Sequence, residues 1–348
     1  MATHLAALLQ KAGMPLVVEQ RPTPTPGPHE LLINVKAAAL NPVDRHQRDS
    51  GFRLAHFPSV LGSDVSGVIS AVGSAVTNSD LKPGMRIAAF APCLFEQGQP
   101  DYGALQEKVL VPSAYATPLP DSISFSQASL LPMAVLTAWR GLSINGVPRT
   151  ASSSTADKKA ILIWGGSSSV GSATIQVARS LGFYVYATSS PQHHEYVKTT
   201  LGATAVFDRN APDVVNQIVK TVKDDGVDLS IAFDAVGAVQ QCIDVLLAVK
   251  PSSNGRQLLK IASTVPFNPK SLAANGVEIN FITPIQDVEA RTAYFAFVFN
   301  EWLKEKLESG GYSPSPKPKI ISGGLKEVNT GLDELKAGVS GVKLVIEM

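Results

Sequence analysis

The chain has 348 residues, 45% of them hydrophobic, and a formal net charge of +1. This composition predicts a folded protein large enough for two domains, and the charge gives no electrostatic reason to expect binding to nucleic acid or to a membrane. No apolar run reaches the roughly 18 residues of a transmembrane helix, no basic residue precedes the apolar patch Leu5–Leu9 as in a signal peptide, and two cysteines are too few for a disulfide framework. We therefore expect a cytoplasmic protein.

The first part of the chain, residues 1–126, predicts a β-rich domain. Short apolar runs such as Leu5–Leu9, Leu31–Val35 and Val65–Val72 are separated by Gly and Pro, which is typical of short strands joined by turns. From Gln127 the pattern changes, and Ala128–Leu142 is predicted as a helix. The Ser- and Thr-rich stretch Gly146–Asp157 is predicted as a surface loop.

The next part, residues 127–283, alternates apolar strands with helical stripes. This alternation predicts right-handed crossovers and a parallel sheet covered on both faces, which is a doubly wound α/β fold. The helical stripes are Val170–Leu181, Val214–Val222 and Val239–Leu247. The predicted strands are Ile161–Trp164, Tyr184–Thr188, Thr204–Phe207, Leu229–Phe233, Leu258–Ala262 and Val277–Ile282.

The last part of the chain, residues 284–348, is expected to return to the first domain. Gln286–Leu307 has helical periodicity, and we expect its aromatic residues to pack in a core rather than to form a ligand cage. Val328–Met348 contains a predicted short helix and the strand Lys343–Glu347. We therefore expect one domain from residues 1–126 and 284–348, and a doubly wound domain from residues 127–283.

A turn rich in Gly and Ser, from Trp164 to Gly171, joins the first strand of the parallel sheet to its helix. Unpaired amides and the partial positive charge at a helix start favour a diphosphate at such a turn. The dinucleotide pattern G-x-G-x-x-G fits only if Ser168 replaces the middle glycine, so a turn that merely packs well is the alternative. The candidate cofactor contacts are Gly166, Ser167, Ser168, Ser169 and Val170.

Several separated motifs occur in one order along the chain: ALNPVD at residues 39–44, LGSDVSG at 61–67, KPGMR at 82–86, LTAW at 136–139, the Gly/Ser turn, and FDAVG at 233–237. With these motifs the chain resembles the medium-chain dehydrogenase/reductase superfamily over nearly its whole length. Within it, the chain is similar to zinc-free quinone oxidoreductases and fungal trans-acting enoyl reductases. The resemblance implies a β-rich GroES-like catalytic domain beside the Rossmann domain.

The resemblance also bears on metal chemistry. The positions that hold the catalytic zinc in alcohol dehydrogenases of the superfamily correspond here to Asn41, Ser63 and Met133, none of which is a good zinc ligand. The expected activity is therefore metal-free: hydride delivery from NADPH to an activated C=C bond of an enoyl thioester or enone, possibly in secondary metabolism. The substrate would be a small molecule or a carrier-bound acyl group, with a possible polyketide synthase partner. Quinone reduction and a non-catalytic or repurposed NADPH-binding protein are the alternatives.

Two residues are candidates for catalysis. As the resemblance suggests, Asn41 could hold the nicotinamide amide or the substrate carbonyl; a turn residue before Pro42 is the alternative. His46 lies where related reductases often have a lysine, so it is a candidate proton donor, or else a surface histidine. Among cofactor contacts, the resemblance places Thr137 near the nicotinamide ribose and Lys343 near the cleft between domains; a helix-interior hydroxyl and a strand-end charge are the alternatives. Val236 and Gly237 follow the carboxyl end of a strand, where the sheet is expected to face the nicotinamide.

The end of the second strand of the parallel sheet indicates which nicotinamide cofactor is used. NAD-specific folds usually carry an acidic residue there, but this strand ends in Thr188-Ser189-Ser190 with no carboxylate. Ser189, Ser190, His193 and Arg209 could hold a 2′-phosphate, which predicts NADPH. The sequence leaves open whether the protein is a monomer or a homodimer.

Overall fold

The computed structural model of the chain describes residues 2–150, 157–249, 258–272 and 276–348. The contacts divide it into two compact units, one formed by Met1–Met133 with Ile285–Met348 and the other by Ala134–Pro284. Half of the loop predicted at 146–157, residues 151–156, lies outside the described residues. In the described ranges, no helix is long and apolar enough to cross a bilayer.

The amino-terminal part of the first unit is mostly antiparallel sheet. The strand at residues 3–9 lies between those at 17–22 and 59–60, while the strand at 30–39 pairs with those at 64–72 and 108–112. The strands are β1 (Thr3–Leu9), β2 (Val17–Pro22), β3 (Glu30–Ala39), β4 (Ser59–Val60), β5 (Asp64–Val72), β6 (Arg86–Phe90), β7 (Lys108–Pro112) and β8 (Ala116–Pro118). The helices are α1 (Pro42–Ser50) and α2 (Phe125–Ala128), with 3-10 turns at Pro100–Tyr102 and Ser113–Tyr115. The next helix, α3 (Pro132–Ile144), begins at the end of this part and lies mostly in the second unit.

The single helix predicted over Ala128–Leu142 is wrong. The structure has two helices there, because α2 ends at Ala128 and α3 begins at Pro132. Proline has no amide hydrogen to donate back along a helix and disfavours helical geometry in the residue before it, so it suits a first helical position.

The second unit is a six-stranded parallel sheet with helices at its crossovers. Its strand order is third, second, first, fourth, fifth, sixth, so the order reverses between the first and fourth strands. In a doubly wound sheet, ligands bind beyond the carboxyl ends of the strands at this point. The strands are β9 (Lys159–Trp164), β10 (Tyr184–Ser189), β11 (Ala205–Asp208), β12 (Asp228–Asp234), β13 (Leu259–Ser263) and β14 (Val277–Phe281). The helices are α4 (Ser169–Ser180), α5 (Val214–Asp225) and α6 (Val239–Val249), with shorter turns at Pro191–His193, Tyr196–Thr200 and Pro269–Ser271.

The sheet of the second unit has a continuous apolar core. Leu162 and Tyr186 on adjacent strands are fully buried with Ile218 of α5 and Leu246 of α6. Apolar residues repeat along the helices at the spacing that places them on one face, toward the strands. The predicted doubly wound α/β fold is thus confirmed.

The last part of the chain completes the first unit. A final strand joins its sheet beside β3, so the expected return to the first domain is observed. The aromatic residues pack as predicted: the Phe295 ring lies 5.3 Å from that of Phe90 and 4.0 Å from that of Tyr115, centroid to centroid. The helices are α7 (Val288–Ala296), α8 (Lys304–Glu308) and α9 (Val328–Ala337), with a π-helical segment at Phe297–Leu303 and a 3-10 turn at Gly324–Glu327; the strands are β15 (Lys317–Ile321) and β16 (Val342–Glu347).

Candidate functional site

The turn after β9 is held by the neighbouring strand β10. The amide of Gly165 donates to the Thr188 hydroxyl at 3.1 Å, and the amide of Gly166 donates to the Thr188 carbonyl at 2.7 Å. Gly165 has a φ of +90°, a conformation that glycine adopts without the steric cost of a Cβ atom. The turn is therefore fixed at the carboxyl end of the sheet by backbone geometry.

Two glycines of this turn have no room for a side chain. A Cβ atom on Gly171 would lie 2.2 Å from the carbonyl oxygen of Gly165, and one on Gly165 would lie 2.5 Å from a methyl of Val236. The first contact is with backbone, which cannot rotate away. The start of α4 thus approaches the end of β9 as closely as main-chain atoms allow, which is the arrangement that a dinucleotide turn requires.

The serines of the turn have different roles. Ser168 is the N-cap of α4, and its hydroxyl accepts the amide of Gly171 at 3.1 Å. The Ser169 hydroxyl is buried with no hydrogen-bond partner among the described residues. The amides of Ser169 and Val170 are in the first helical turn, where no carbonyl of the helix can accept them. The turn therefore offers two backbone donors, a hydroxyl and the helix dipole to an anion.

The carboxyl ends of β10 and β11 bring together several residues predicted to bind the adenosine phosphate. The amide of Arg209 donates to the Ser189 carbonyl at 3.1 Å, and a ring nitrogen of His194 lies 3.3 Å from the same oxygen. Ser190 and His193 follow in the next turn, and His193 is half-buried. The Ser189 hydroxyl is buried against the Ser190 carbonyl, while the Arg209 side chain is exposed.

A buried carboxylate holds the loop after β12. One oxygen of Asp234 accepts the amides of Val236, Gly237 and Ala238 at 2.9–3.1 Å, and the other accepts the Ser263 hydroxyl at 2.8 Å. With four donors this side chain is fully satisfied as an anion, although it is 0% exposed. It leaves Val236 and Gly237 exposed on a fixed loop, with Gly237 at a φ of +91°.

The first unit contains a second polar cluster, which centres on Asp64 at the start of β5. One of its oxygens accepts the Met133 amide at 2.6 Å. The other accepts the side-chain amide of Asn41 at 2.8 Å and the Lys343 ammonium at 2.5 Å. Asp64 is 0% exposed and the Lys343 side chain 4% exposed, so this is a buried ion pair.

Asn41 is also the N-cap of α1. Its backbone amide donates to the Asp44 carboxyl at 2.8 Å, which satisfies one of the free donors at the helix start. Asp44 is completely buried, and its second oxygen has no partner among the described residues. Burial foremost, and the nearby Asp64 charge in addition, raise the pKa of Asp44 from 3.8 to about 7, against the opposing effects of the Asn41 amide and Lys343.

The cluster does not suit a zinc ion. The three positions that resemble zinc-ligand positions are at or next to Asp64. Asn41 offers its side-chain amide and Met133 its backbone amide to Asp64, and Ser63, the preceding residue, offers a hydroxyl. Amide groups donate hydrogen bonds here and cannot replace thiolate or imidazole, and a buried ammonium repels a cation. Within the described ranges, no group of three or more His, Cys, Asp or Glu side chains could hold a metal.

Two further candidates lie on helices. His46 is exposed on α1, and the Arg45 guanidinium lies 3.0 Å from one of its ring nitrogens. Because a guanidinium can only donate, that nitrogen must accept, and it is then no source of a proton. Thr137 is half-buried on α3 in the second unit.

A cavity of about 390 Å³ lies at the other end of the parallel sheet. Its lining includes Lys159 and Asp228, which are at the amino ends of β9 and β12, together with Phe183. In doubly wound folds, ligands bind beyond the carboxyl ends of the strands, so this cavity is not the cofactor site.

Three functional residues were missed among the candidates from the sequence. Asp234 is the last residue of β12 and Thr188 the last but one of β10, and both support a loop. Asp64 is separated from its three partners by 23, 69 and 279 residues of sequence. A polar residue at the carboxyl end of an apolar strand was the available signal for Thr188 and Asp234. Asp64 lies in the LGSDVSG motif, but that motif does not indicate its partners.

Comparison with known proteins agrees with this geometry. Two family models match, "Alcohol dehydrogenase GroES-like domain" over residues 27–121 and "Zinc-binding dehydrogenase" over residues 169–258. The chain is 45% identical to trans-enoyl reductase tndF of Aspergillus flavipes over 99% of both chains, and 45% identical to trans-enoyl reductase tazE of Aspergillus terreus over 84% of this chain and 95% of that one. An alcohol dehydrogenase superfamily structure from Novosphingobium aromaticivorans has the same fold, with a TM-score of 0.81 at 22% identity over 99% of both chains.

The superfamily consists of nicotinamide-dinucleotide-dependent oxidoreductases. The turn at the start of α4 has the backbone donors that the diphosphate of such a cofactor needs. The match extends over both units and includes relatives at 45% identity. The chain therefore belongs to the medium-chain dehydrogenase/reductase superfamily and is an oxidoreductase.

Proposed function

We propose that the protein is an NADPH-dependent, zinc-independent reductase of activated carbon–carbon double bonds in enoyl thioesters or enones. The observation that carries this proposal is the 45% identity, over 99% of both chains, to a protein named trans-enoyl reductase. The donor set around Asp64 supports metal-free chemistry, because it lacks thiolate and imidazole and contains an ammonium group.

The turn at the start of α4 is the proposed diphosphate site. The amides of Ser169 and Val170 and the buried Ser169 hydroxyl supply donors, and Gly171 lets the backbone come close. Ser168 acts indirectly, since its hydroxyl is used to cap the helix. The loop that Asp234 holds, with Val236 and Gly237, is proposed to lie against the nicotinamide end.

The reaction requires a hydride donor and a group that stabilises negative charge. When bound, a reduced nicotinamide supplies the hydride that adds to the β-carbon, after which charge develops on the carbonyl oxygen of the substrate. Asn41 cannot donate a strong hydrogen bond to that oxygen, because its side-chain amide already donates to Asp64 at 2.8 Å and lies 3.5 Å from the Ala39 carbonyl. Its carbonyl oxygen remains for a ligand, so we assign Asn41 to accepting the carboxamide of the nicotinamide.

A panel of substrates tests the reaction class. NADPH oxidation with α,β-unsaturated thioesters or enones, but not with quinones, is expected, and the product should be the saturated compound. Turnover of quinones alone would favour quinone reduction instead. Tight NADPH binding with no turnover on either panel would indicate a repurposed binding protein.

The preference for NADPH is proposed to depend on Arg209. Its backbone amide bonds to the Ser189 carbonyl at the end of β10, where no carboxylate ends the strand, and its side chain is exposed. A hydrogen bond to a charged phosphate contributes about 1.5–3 kcal/mol, so Arg209→Ala should weaken NADPH binding by roughly tenfold or more and leave NADH binding unchanged.

Titration calorimetry with both cofactors measures this preference. Lys198→Ala is the matched control, since Lys198 is an exposed cation in the neighbouring Tyr196–Thr200 segment and is expected to have no effect. An unchanged ratio of the NADPH and NADH dissociation constants in Arg209→Ala would remove Arg209 from the site.

A carrier-bound acyl substrate, presented by a polyketide synthase, is proposed by analogy with the trans-enoyl reductases. Whether the carrier is recognised is measured by comparing kcat/KM for a pantetheine thioester with kcat/KM for the same acyl group on an isolated carrier protein. A kcat/KM at least tenfold higher for the carrier-bound form is expected if the partner is recognised. Equal values would indicate a free small-molecule substrate.

A further inference from the structure

The ion pair between Lys343 and Asp64 is costly for the protein to bury. The two side chains are 4% and 0% exposed, and the Lys343 ammonium also lies 3.4 Å from the Leu130 carbonyl. Removing two charges from water costs several kcal/mol per ion, and well-packed apolar side chains often stabilise a fold as well or better. Stability alone therefore does not explain why a lysine on the last strand reaches a carboxylate on β5.

What the pair does control is the orientation of Asn41. In its ion pair with Lys343, the Asp64 carboxylate only accepts hydrogen bonds. It therefore selects the rotamer of Asn41 in which the amide nitrogen faces inward, 2.8 Å from its oxygen. The carbonyl end of the carboxamide is then the only part of Asn41 left for a ligand.

We infer that Lys343 is a positioning residue: through Asp64, in the place where zinc-dependent relatives are expected to bind metal, its ammonium keeps Asn41 a hydrogen-bond acceptor. The positive charge of Lys343 thus occupies this place instead of a metal ion. This inference rests on the proposed function for its effect on turnover, but the orientation of Asn41 is measurable without a substrate.

Two variants separate positioning from structural support. Lys343→Met removes the ammonium and leaves Asp64 without its cation, so its melting temperature should fall by several degrees. In the double variant Asp64→Asn/Lys343→Met no charge is buried, and the new side chain can still accept the Met133 amide. Its melting temperature should return to near that of the wild type. Its own amide nitrogen, however, would oppose that of Asn41 and reverse the Asn41 carboxamide.

Both variants should lose at least tenfold in kcat for alkene reduction, and the double variant should do so despite its recovered stability. The control is Lys317→Met on β15, an exposed lysine in register with Val342, which should match the wild type in both measurements. Recovery of both melting temperature and kcat in the double variant would make the pair merely structural and overturn the inference.

Nuclear magnetic resonance on asparagine-labelled protein supplies the readout that needs no substrate. The Asn41 side-chain amide, assigned by its loss in Asn41→Ala, should exchange slowly with solvent in the wild type and in Lys317→Met. It should shift and exchange faster in both Lys343 variants. An unchanged Asn41 signal in these variants would refute the positioning role, whereas a wild-type enzyme that reduces no alkene would refute only the proposed reaction.

Discussion

Replacing Gly171 by alanine should disable dinucleotide binding. The new methyl group would lie 2.2 Å from the carbonyl oxygen of Gly165, a backbone atom, so α4 must move away from the end of β9. Overpacking of this kind costs about 1–3 kcal/mol in stability. If a similar free energy is lost from contacts with the diphosphate, the cofactor dissociation constant should rise by about ten- to a hundredfold.

Calorimetric titration with NADPH, together with thermal unfolding, measures both effects of Gly171→Ala. Ser180→Ala is a suitable control, because Ser180 is exposed at the far end of the same helix and its hydroxyl donates to the Val177 carbonyl in its own last turn. A variant that is less stable but binds NADPH within twofold of the wild type would show that the turn does not carry the diphosphate.

The parallel sheet could be predicted because its strands are short continuous apolar runs between turn residues. Ile161–Trp164 is such a run, and β9 extends it by only two residues, to Lys159–Trp164. The break at Pro132 was missed because the apolar periodicity continues through it, although the proline itself was the stop signal. Strand β15 was also missed. Lys317–Ile321 has two lysines and a proline before its two isoleucines, so it lacks the pattern of a strand and is specified by its pairing with β16.

The site was predictable where function depends on neighbours in the chain. The Gly/Ser turn could be found because a strand, a tight turn and a helix start are consecutive. The Asp64 cluster could not, because Asn41 and Lys343 reach Asp64 through the pairing of β16 with β3 and of β3 with β5, while Met133 comes from the start of α3. The roles expected of Asn41, His46 and Lys343 from resemblance stay predictions. The hydrogen bonds show which of their side-chain atoms already have protein partners.

The buried carboxyl of Asp44 should make the protein less stable as pH rises. Its pKa is about 7 in the folded chain against 3.8 for an ordinary aspartate, mainly because of burial. Between these values the folded state holds a proton that the unfolded state has released, so the free energy of unfolding falls from about pH 4 to about pH 7 and is level above that. The full decrease in the free energy of unfolding that Asp44 causes is about 4 kcal/mol.

Asp44→Asn should remove this loss, since an amide oxygen can still accept the Asn41 backbone amide while carrying no charge. We expect the variant to be more stable than the wild type at both pH 8 and pH 5, and by a clearly larger margin at pH 8, as measured by urea unfolding. Asp49→Asn, on the same helix at an exposed position, should show no such dependence in this range. If the difference between Asp44→Asn and the wild type were the same at both pH values, the carboxyl would be ionised in the folded protein. The unpartnered second oxygen of Asp44 would then need a donor that the cluster around Asp64 does not supply.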